Sequence, residues 1–380
     1  MAAKGRLEDF KELAAAAPWH GVVDWATGGG GIVYGAGNGG RAFAEHAAAH
    51  GVPIRFFCDD DPGRVGQQIA GREILRGEEI ARHPGVPVVI ALARFEAIRK
   101  KLRGMGVEEG RICFSDDFFV HHVPATQNEK VAKHFDRELL EFGWESLQRF
   151  ADLLADEESL GVLRGLLKYR LSRSLGDLIV SAYPQYEHPR VKAAAGDLVL
   201  DGGAWIGDTA ERLSALVAPG GKVFAFEPTP GTFEQLRKNT ARLGGVVEPV
   251  NAGLGAKNGA AAFSTAETDT GSFHVVGELQ SGGDLQVSII AVDSFCRERK
   301  IAPAMFKMDI EGSELDAIEG AKETIRLHAP KLAICVYHKF ADLWEIPLRL
   351  HALHPGYRFY LGQHARGITE TVVYASEGGA

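Results

Sequence analysis

An apolar run, Leu198-Val199-Leu200, ends in the acid Asp201 and opens into Gly202-Gly203-Ala204-Trp205-Ile206-Gly207, after which Asp208-Thr209 starts a helix. A second apolar run, Val223-Phe224-Ala225-Phe226, ends in Glu227-Pro228. A strand closed by an acid, a glycine loop, a helix start and a carboxylate on the next strand make the nucleotide-cofactor crevice of an open α/β sheet. Asp201 stands before the glycines, where it would repel a pyrophosphate. The order therefore favours a cofactor without phosphates, and S-adenosylmethionine fits. Gly203 and Gly207 let the backbone approach such a ligand without side-chain obstruction. Asp201 is expected near the methionine amino group or the loop backbone, with Gly202, Ala204, Asp208, Thr209 and Pro228 alongside. Glu227 is placed to accept both ribose hydroxyls, which a carboxylate does with two parallel bonds. Asn251, ending a third strand, is a candidate for the adenine edge or its flanking backbone. The plain alternative is that these acids only cap helices.

A second constellation follows the run Phe306-Lys307-Met308, where Asp309, Glu311 and Glu314 crowd one strand-to-helix turn. Glu314 suits the helix start, because the macrodipole favours an acid there. Asp309, at the strand end, is the better candidate for chemistry, since open sheets place ligands beyond the carboxyl ends of their strands. His338 and His364 are expected at the ends of later strands, converging with Asp309 and Glu311 above a transferable methyl group. A hydroxyl that attacks a sulfonium methyl must lose its proton, and a histidine of near-neutral pKa suits that task. Asp309, His338 and His364 could equally hold a divalent metal, Mg²⁺ or Mn²⁺, that acidifies a sugar diol.

The elements that must position these groups follow from the pattern. Strands are expected at 198–201, 222–227, 246–251, 304–309, 331–337, 357–361 and 371–374, the last two as a hairpin. Between Gly255 and Val292 short alternating runs replace the helical period, which predicts a β-rich insertion near the crevice. Residues 124–189 carry helical spacing, as in Leu139, Leu140, Trp144, Leu147, Phe150 and Leu153, with the helical pattern continuing over 172–181. Upstream, Ile32-Val33-Tyr34 leads into Gly35-Ala36-Gly37-Asn38-Gly39-Gly40, a helix over 41–50, a strand over 54–58 closed by Asp59, and a later strand over 86–91. Strand alternating with helix means a parallel sheet with right-handed crossovers. The expected fold class is α/β with two Rossmann-like domains: 1–122, a helical connector over 123–190, and a seven-stranded sheet over 191–380.

At 380 residues the chain is long enough for two cores. A net charge of -8 gives no general reason to expect nucleic acid. Four dispersed cysteines make no Cys-x-x-Cys pair and read as buried thiols in a reducing compartment. The start lacks the apolar core of a signal peptide, and no run approaches the roughly 20 apolar residues that span a bilayer, so a cytoplasmic location is expected.

The C-terminal half resembles the FkbM-type methyltransferase family. The matching stretches are Val199 to Thr209, Glu227-Pro228, Ala291-Val292-Asp293-Ser294, Lys307 to Glu314, Val336-Tyr337-His338 and Glu370 to Tyr374, of which Lys307 to Glu314 is the most specific. The resemblance implies O-methyl transfer from S-adenosylmethionine, often to sugars or natural products with free hydroxyls, so the expected partner is a small-molecule or glycan acceptor. Tyr183-Pro184-Gln185-Tyr186 resembles a segment preceding the family domain and either lines the acceptor side or serves structure alone. Trp205 departs from the smaller residues common at its position.

The N-terminal loop Gly35-x-Gly37-x-x-Gly40, with Asp59 ending the next strand, satisfies the dinucleotide template. Together with Asp59 to Gly66 and Gly71 to Leu75 it resembles the N-terminal domains of sugar-nucleotide-modifying transferases, which implies a nucleotide or nucleotide-sugar site or a scaffold that kept only the fold. Two rivals to methyl transfer stand beside it: an NAD-dependent nucleotide-sugar oxidoreductase or epimerase, for which no Tyr-x-x-x-Lys relay is visible, and a non-catalytic binding module.

Overall fold

The computed structural model describes residues 6–16, 30–92, 95–115, 118, 133–263 and 285–378. The chain divides into two units. One comprises Asp9–Glu141 and Gly165–Leu178, the other Met1–Glu8, Phe142–Arg164 and Ile179–Ala380.

In the first unit, β1 (Gly31–Tyr34), β2 (Ile54–Asp59), β3 (Gln68–Ile69), β4 (Arg72–Arg76), β5 (Val88–Ile90) and β6 (Ile112–Phe114) form one sheet in the order β3-β4-β2-β1-β5-β6. All neighbours are parallel except β3 and β4. The central strand β1 is buried throughout, as expected of a parallel strand covered on both faces. Helix Asn38–Ala49 follows it and buries Gly40, Phe43, Ala44 and Ala47, the spacing of one helical face. A side chain at Gly40 would put its Cβ 2.0 Å from the Gly35 carbonyl oxygen, so glycine lets this helix start against the loop.

The stretch expected as a helical connector is divided between the units. It forms helices Arg137–Phe142, Trp144–Leu153 and Glu157–Ser172; residues 119–132 lie outside the described part. The helix does not continue over 172–181 as its spacing suggested. Arg173 turns left-handed with φ +58, and only a single 3₁₀ turn, Leu175–Asp177, follows.

The second unit is built on β7 (Leu198–Gly202), β8 (Lys222–Phe226), β9 (Val247–Val250), β10 (Gly253–Leu254), β11 (Gly259–Phe263), β12 (Leu285–Ile290), β13 (Met305–Met308), β14 (Lys331–Cys335), β15 (Tyr357–Gln363) and β16 (Thr371–Glu377). Seven of these strands form a mixed sheet in the order β15-β16-β14-β13-β7-β8-β9. Strands β9 to β14 of this sheet run parallel, and β16 is antiparallel to both β14 and β15. The chain order reverses between β7 and β13, so a crevice opens beyond their carboxyl ends, where open sheets bind ligands. The interiors of β7, β8, β13 and β14 are fully buried. The insertion is a separate three-stranded sheet, β10-β12-β11; residues 264–284 of it lie outside the described part. Asp293, within one of the resembling stretches, caps helix Lys322–His328 by accepting the N–H groups of Glu323 at 3.0 Å and Thr324 at 2.8 Å.

Candidate functional site

The first turn of the site belongs to the glycine loop after β7. Gly203 is left-handed, φ +72, and a Cβ there would lie 1.8 Å from the Asp309 carbonyl oxygen. Only glycine allows the ends of β7 and β13 to come this close. Gly203 N–H and Ala204 N–H both donate to the Phe226 carbonyl, at 3.1 and 2.9 Å, and Gly207 N–H donates to Ala204. These three N–H groups are engaged within the protein and hold the turn in shape. Asp208 is exposed at the start of helix Asp208–Val217, with Thr209 beside it. Trp205 is also left-handed, φ +45, and is 37% exposed.

Asp201 is fully enclosed and faces a partner that the strand pattern had not assigned. Lys307 Nζ lies 3.0 Å from Asp201 Oδ1 and donates to the carbonyls of Gly202, at 3.1 Å, and Gly203, at 2.8 Å. Burial alone would drive the proton off this lysine, but Asp201 and then Asp309 raise its pKa above the usual range. Asp201 therefore reaches the loop through Lys307. A detectable signal existed: Asp201 and Lys307 are register partners on β7 and β13, each a charge inside an apolar strand, and buried charges require pairing.

Glu227, just past β8, is also buried and accepts the Thr229 N–H at 2.8 Å. Burial raises its carboxyl above the ordinary range, while backbone donors at Thr229 and Trp205 pull it back. A carboxylate offers about four acceptor sites, and the Thr229 and Trp205 N–H groups with the Thr229 hydroxyl do not fill them all. Pro228 is half-buried beside it. Asn251 uses its amide on backbone, donating to the carbonyls of Glu227 at 2.9 Å and Pro228 at 3.2 Å. It holds the backbone at the end of β8 in place.

Beyond β13, Asp309 is surrounded by donors. Tyr186 donates its hydroxyl to Oδ2 at 2.9 Å, Tyr337 to Oδ1 at 3.1 Å, and His338 Nε2 stands 3.3 Å from Oδ1. Burial would raise this carboxyl, but His338, Lys307 and Tyr186 hold it well below the usual carboxylate range. His338 is wedged between acids: Nδ1 is 2.9 Å from Glu314 Oε1, and Nε2 is 3.6 Å from Glu311 Oε2. Burial works against a charged ring here, yet Glu314 and Asp309 raise its pKa well above the ordinary histidine value. The expectation of a near-neutral histidine base is thus corrected, because three carboxylates around one imidazole keep it protonated. Glu314 does stand at the start of helix Glu314–Glu319. It is nevertheless fully buried, and its Oε1 accepts the Ile310 N–H at 2.9 Å.

His364 does not join this group. Its Nε2 lies 2.8 Å from the Tyr374 hydroxyl, its ring packs edge-on to Tyr183, and burial lowers its pKa to about 4. Among the described residues, the side chains that could jointly contact one cation are Asp309, Glu311 and His338, whose ligating atoms fall within 4.8 Å of one another. The expected metal set of Asp309, His338 and His364 is therefore not assembled, since β15 ties its histidine to β16. Tyr186, from the segment preceding the family domain, is a structural support of Asp309. It is enclosed, left-handed at φ +67, and bonded through its N–H to the Tyr374 hydroxyl at 3.0 Å.

In the N-terminal unit, Asp59 Oδ2 accepts the Ala36 N–H at 2.7 Å and the Arg64 guanidinium at 3.0 Å, and Oδ1 accepts Asp61 N–H at 2.9 Å. A Cβ on Gly37 would lie 3.2 Å from Arg64 Nη1. The acid that would hold a dinucleotide ribose is engaged by its own loop and by Arg64.

Residues 201–366 match the family described as "Methyltransferase FkbM domain". The chain is 29% identical over 136 residues to hexuronic acid methyltransferase AglP of Haloferax volcanii, an overlap of 36% of this chain and 54% of that relative. The chain thus spans about half the length of the curated relative it matches. Its fold is similar to the crystal structure of Methyltransferase FkbM from Methylobacillus flagellatus KT, with a TM-score of 0.67 at 19% identity, covering 96% of this chain and 98% of that one. A methyltransferase fold implies S-adenosylmethionine as the donor. The close backbone approach at Gly203 and the acid following β8 suit that ligand. Residues 201–366 of this chain are a methyltransferase FkbM domain.

Proposed function

We propose that the chain transfers a methyl group from S-adenosylmethionine to a hydroxyl of a sugar, glycan precursor or related small molecule. The observation that carries the reading is the left-handed Gly203 at the switch point between β7 and β13, where a Cβ would strike the Asp309 carbonyl and bare backbone borders the crevice. The sugar acceptor is supported by the named activity of AglP, a hexuronic acid methyltransferase. When bound, S-adenosylmethionine supplies an electrophilic methyl on sulfonium. Asp201 and Lys307 shape the loop beside it, and Glu227 accepts the ribose hydroxyls. A metal is given no part in this reading, which assigns the charge beside Asp309 and Glu311 to His338. Nucleotide or NAD chemistry in the N-terminal unit has none either, since Asp59 is engaged by Ala36 and Arg64.

Calorimetry with S-adenosylhomocysteine tests it. The wild type should bind, NAD should not, and Glu227→Ala should weaken binding by about 2 kcal/mol as a charged partner of two hydroxyls is lost. Undiminished affinity in that variant removes the ribose assignment, and no binding by the wild type overturns the reading.

A further inference from the structure

We propose that Tyr186, which lies ahead of the stretch 201–366 that matches the family, is a positioning residue of the cofactor site. Its ring face holds the Lys307 ammonium against the glycine loop, so that cofactor affinity depends on the electron density of that ring. The inference rests on the S-adenosylmethionine site proposed above.

A lysine ammonium has three donors and no acceptor. Around Lys307 Nζ, three acceptors stand ready for them: Asp201 Oδ1 at 3.0 Å and the carbonyls of Gly202 and Gly203 at 3.1 and 2.8 Å. The rest of the ammonium surface needs a neighbour that attracts a cation without claiming a donor. The Tyr186 ring is such a neighbour, with Nζ 5.2 Å from its centroid. The face of an aromatic ring is negative, and its attraction for a cation grows as water is removed. Both side chains are buried, Lys307 at 2% and Tyr186 at 4% exposure.

The remainder of Tyr186 fixes the ring in that position. Its hydroxyl donates to Asp309 at 2.9 Å and accepts the Gln185 side-chain amide at 2.9 Å, while its N–H donates to the Tyr374 hydroxyl at 3.0 Å. Asp309 is also the second carboxylate whose charge acts on Lys307. With Tyr186, Tyr337 and His338 around it, Asp309 is occupied, and the ammonium stays with Asp201 and the loop. The Tyr186 backbone is left-handed, φ +67, a conformation that an aromatic residue keeps only where its surroundings impose it.

The test is calorimetry of the full chain with S-adenosylhomocysteine, using Tyr186→Phe and forms of that variant with one or three ring fluorines. Fluorine withdraws electron density from the ring face and scarcely changes the ring's volume, so a residue needed only for packing would not respond. Tyr186→Phe should bind within about threefold of wild type, and each step of fluorination should weaken binding further, to about fivefold below Tyr186→Phe at three fluorines. Tyr186→Leu, which removes the ring, should lose about tenfold or more. An affinity unchanged along the fluorine series overturns the proposal. So does a loss in Tyr186→Phe equal to that in Tyr186→Leu, which would put the effect in the hydroxyl. If Tyr186→Leu does not fold, the fluorine series decides, because those rings nearly keep the native shape. A wild type that binds no S-adenosylhomocysteine removes the cofactor reading itself and this inference with it, whereas binding with a flat series removes the inference alone.

Discussion

Lys307 Nζ lies 3.0 Å from Asp201 Oδ1 with both side chains closed to solvent, and the same ammonium binds the carbonyls of Gly202 and Gly203. One ion pair between adjacent strands thereby fixes the shape of the glycine loop after β7.

Removing one member of that pair leaves a buried charge alone. Lys307→Met should destabilise the protein by about 3–5 kcal/mol, measured by urea denaturation. Adding Asp201→Asn should recover part of the loss. A double variant no more stable than Lys307→Met would show that the two residues are not coupled.

Gly203→Ala inserts a Cβ 1.8 Å from the Asp309 carbonyl oxygen at φ +72. The loop must open, so S-adenosylhomocysteine affinity should fall at least tenfold, with about 1–3 kcal/mol of backbone strain added. Wild-type affinity by calorimetry would mean that the loop is not the cofactor cradle.

Tyr186→Phe deletes the hydroxyl that donates to Asp309 at 2.9 Å. Stability should fall by about 1–2 kcal/mol, and the Asp309 carboxyl should titrate higher than in wild type. An unmoved titration would assign Tyr186 to packing alone.

Imidazolium and metal make opposite predictions for chelation. Activity should persist within twofold after exhaustive treatment with EDTA. A loss restored by Mg²⁺ or Mn²⁺ would place a cation where His338 supplies the charge.

Asp342 is buried, and burial followed by the charge of Glu314 pushes its carboxyl up to about 7. Its folded pKa lies above the unfolded value, so its contribution is fully present below about 4 and is lost as pH rises through about 7. Asp342→Asn, which retains an acceptor for the Lys339 N–H, should therefore gain stability over wild type at pH 8 and gain little at pH 5. Equal Tm differences at the two pH values would contradict the shift.

Much of the fold was legible because parallel strands covered on both faces must be continuously apolar. Runs such as Leu198 to Leu200 and Val223 to Phe226 announce themselves, and glycines mark where β7 turns into a helix. The helical reading of 172–181 failed because spacing does not encode the left-handed turn at Arg173. Asn251 was legible as a strand-end polar group, but its grip on the Glu227 backbone was not.

From the amino-acid order alone came the strand succession, the acids at the ends of β7, β8 and β13, and the family resemblance of 199–209 and 307–314. Only the tertiary structure decided the work of each group. It paired Lys307 with Asp201, brought Tyr186 to Asp309 from outside the sheet, kept His364 with Tyr374, and surrounded His338 with acids. The physical reason is that proton affinity depends on burial and on charges a few ångströms away, and those neighbours come from segments far apart along the chain.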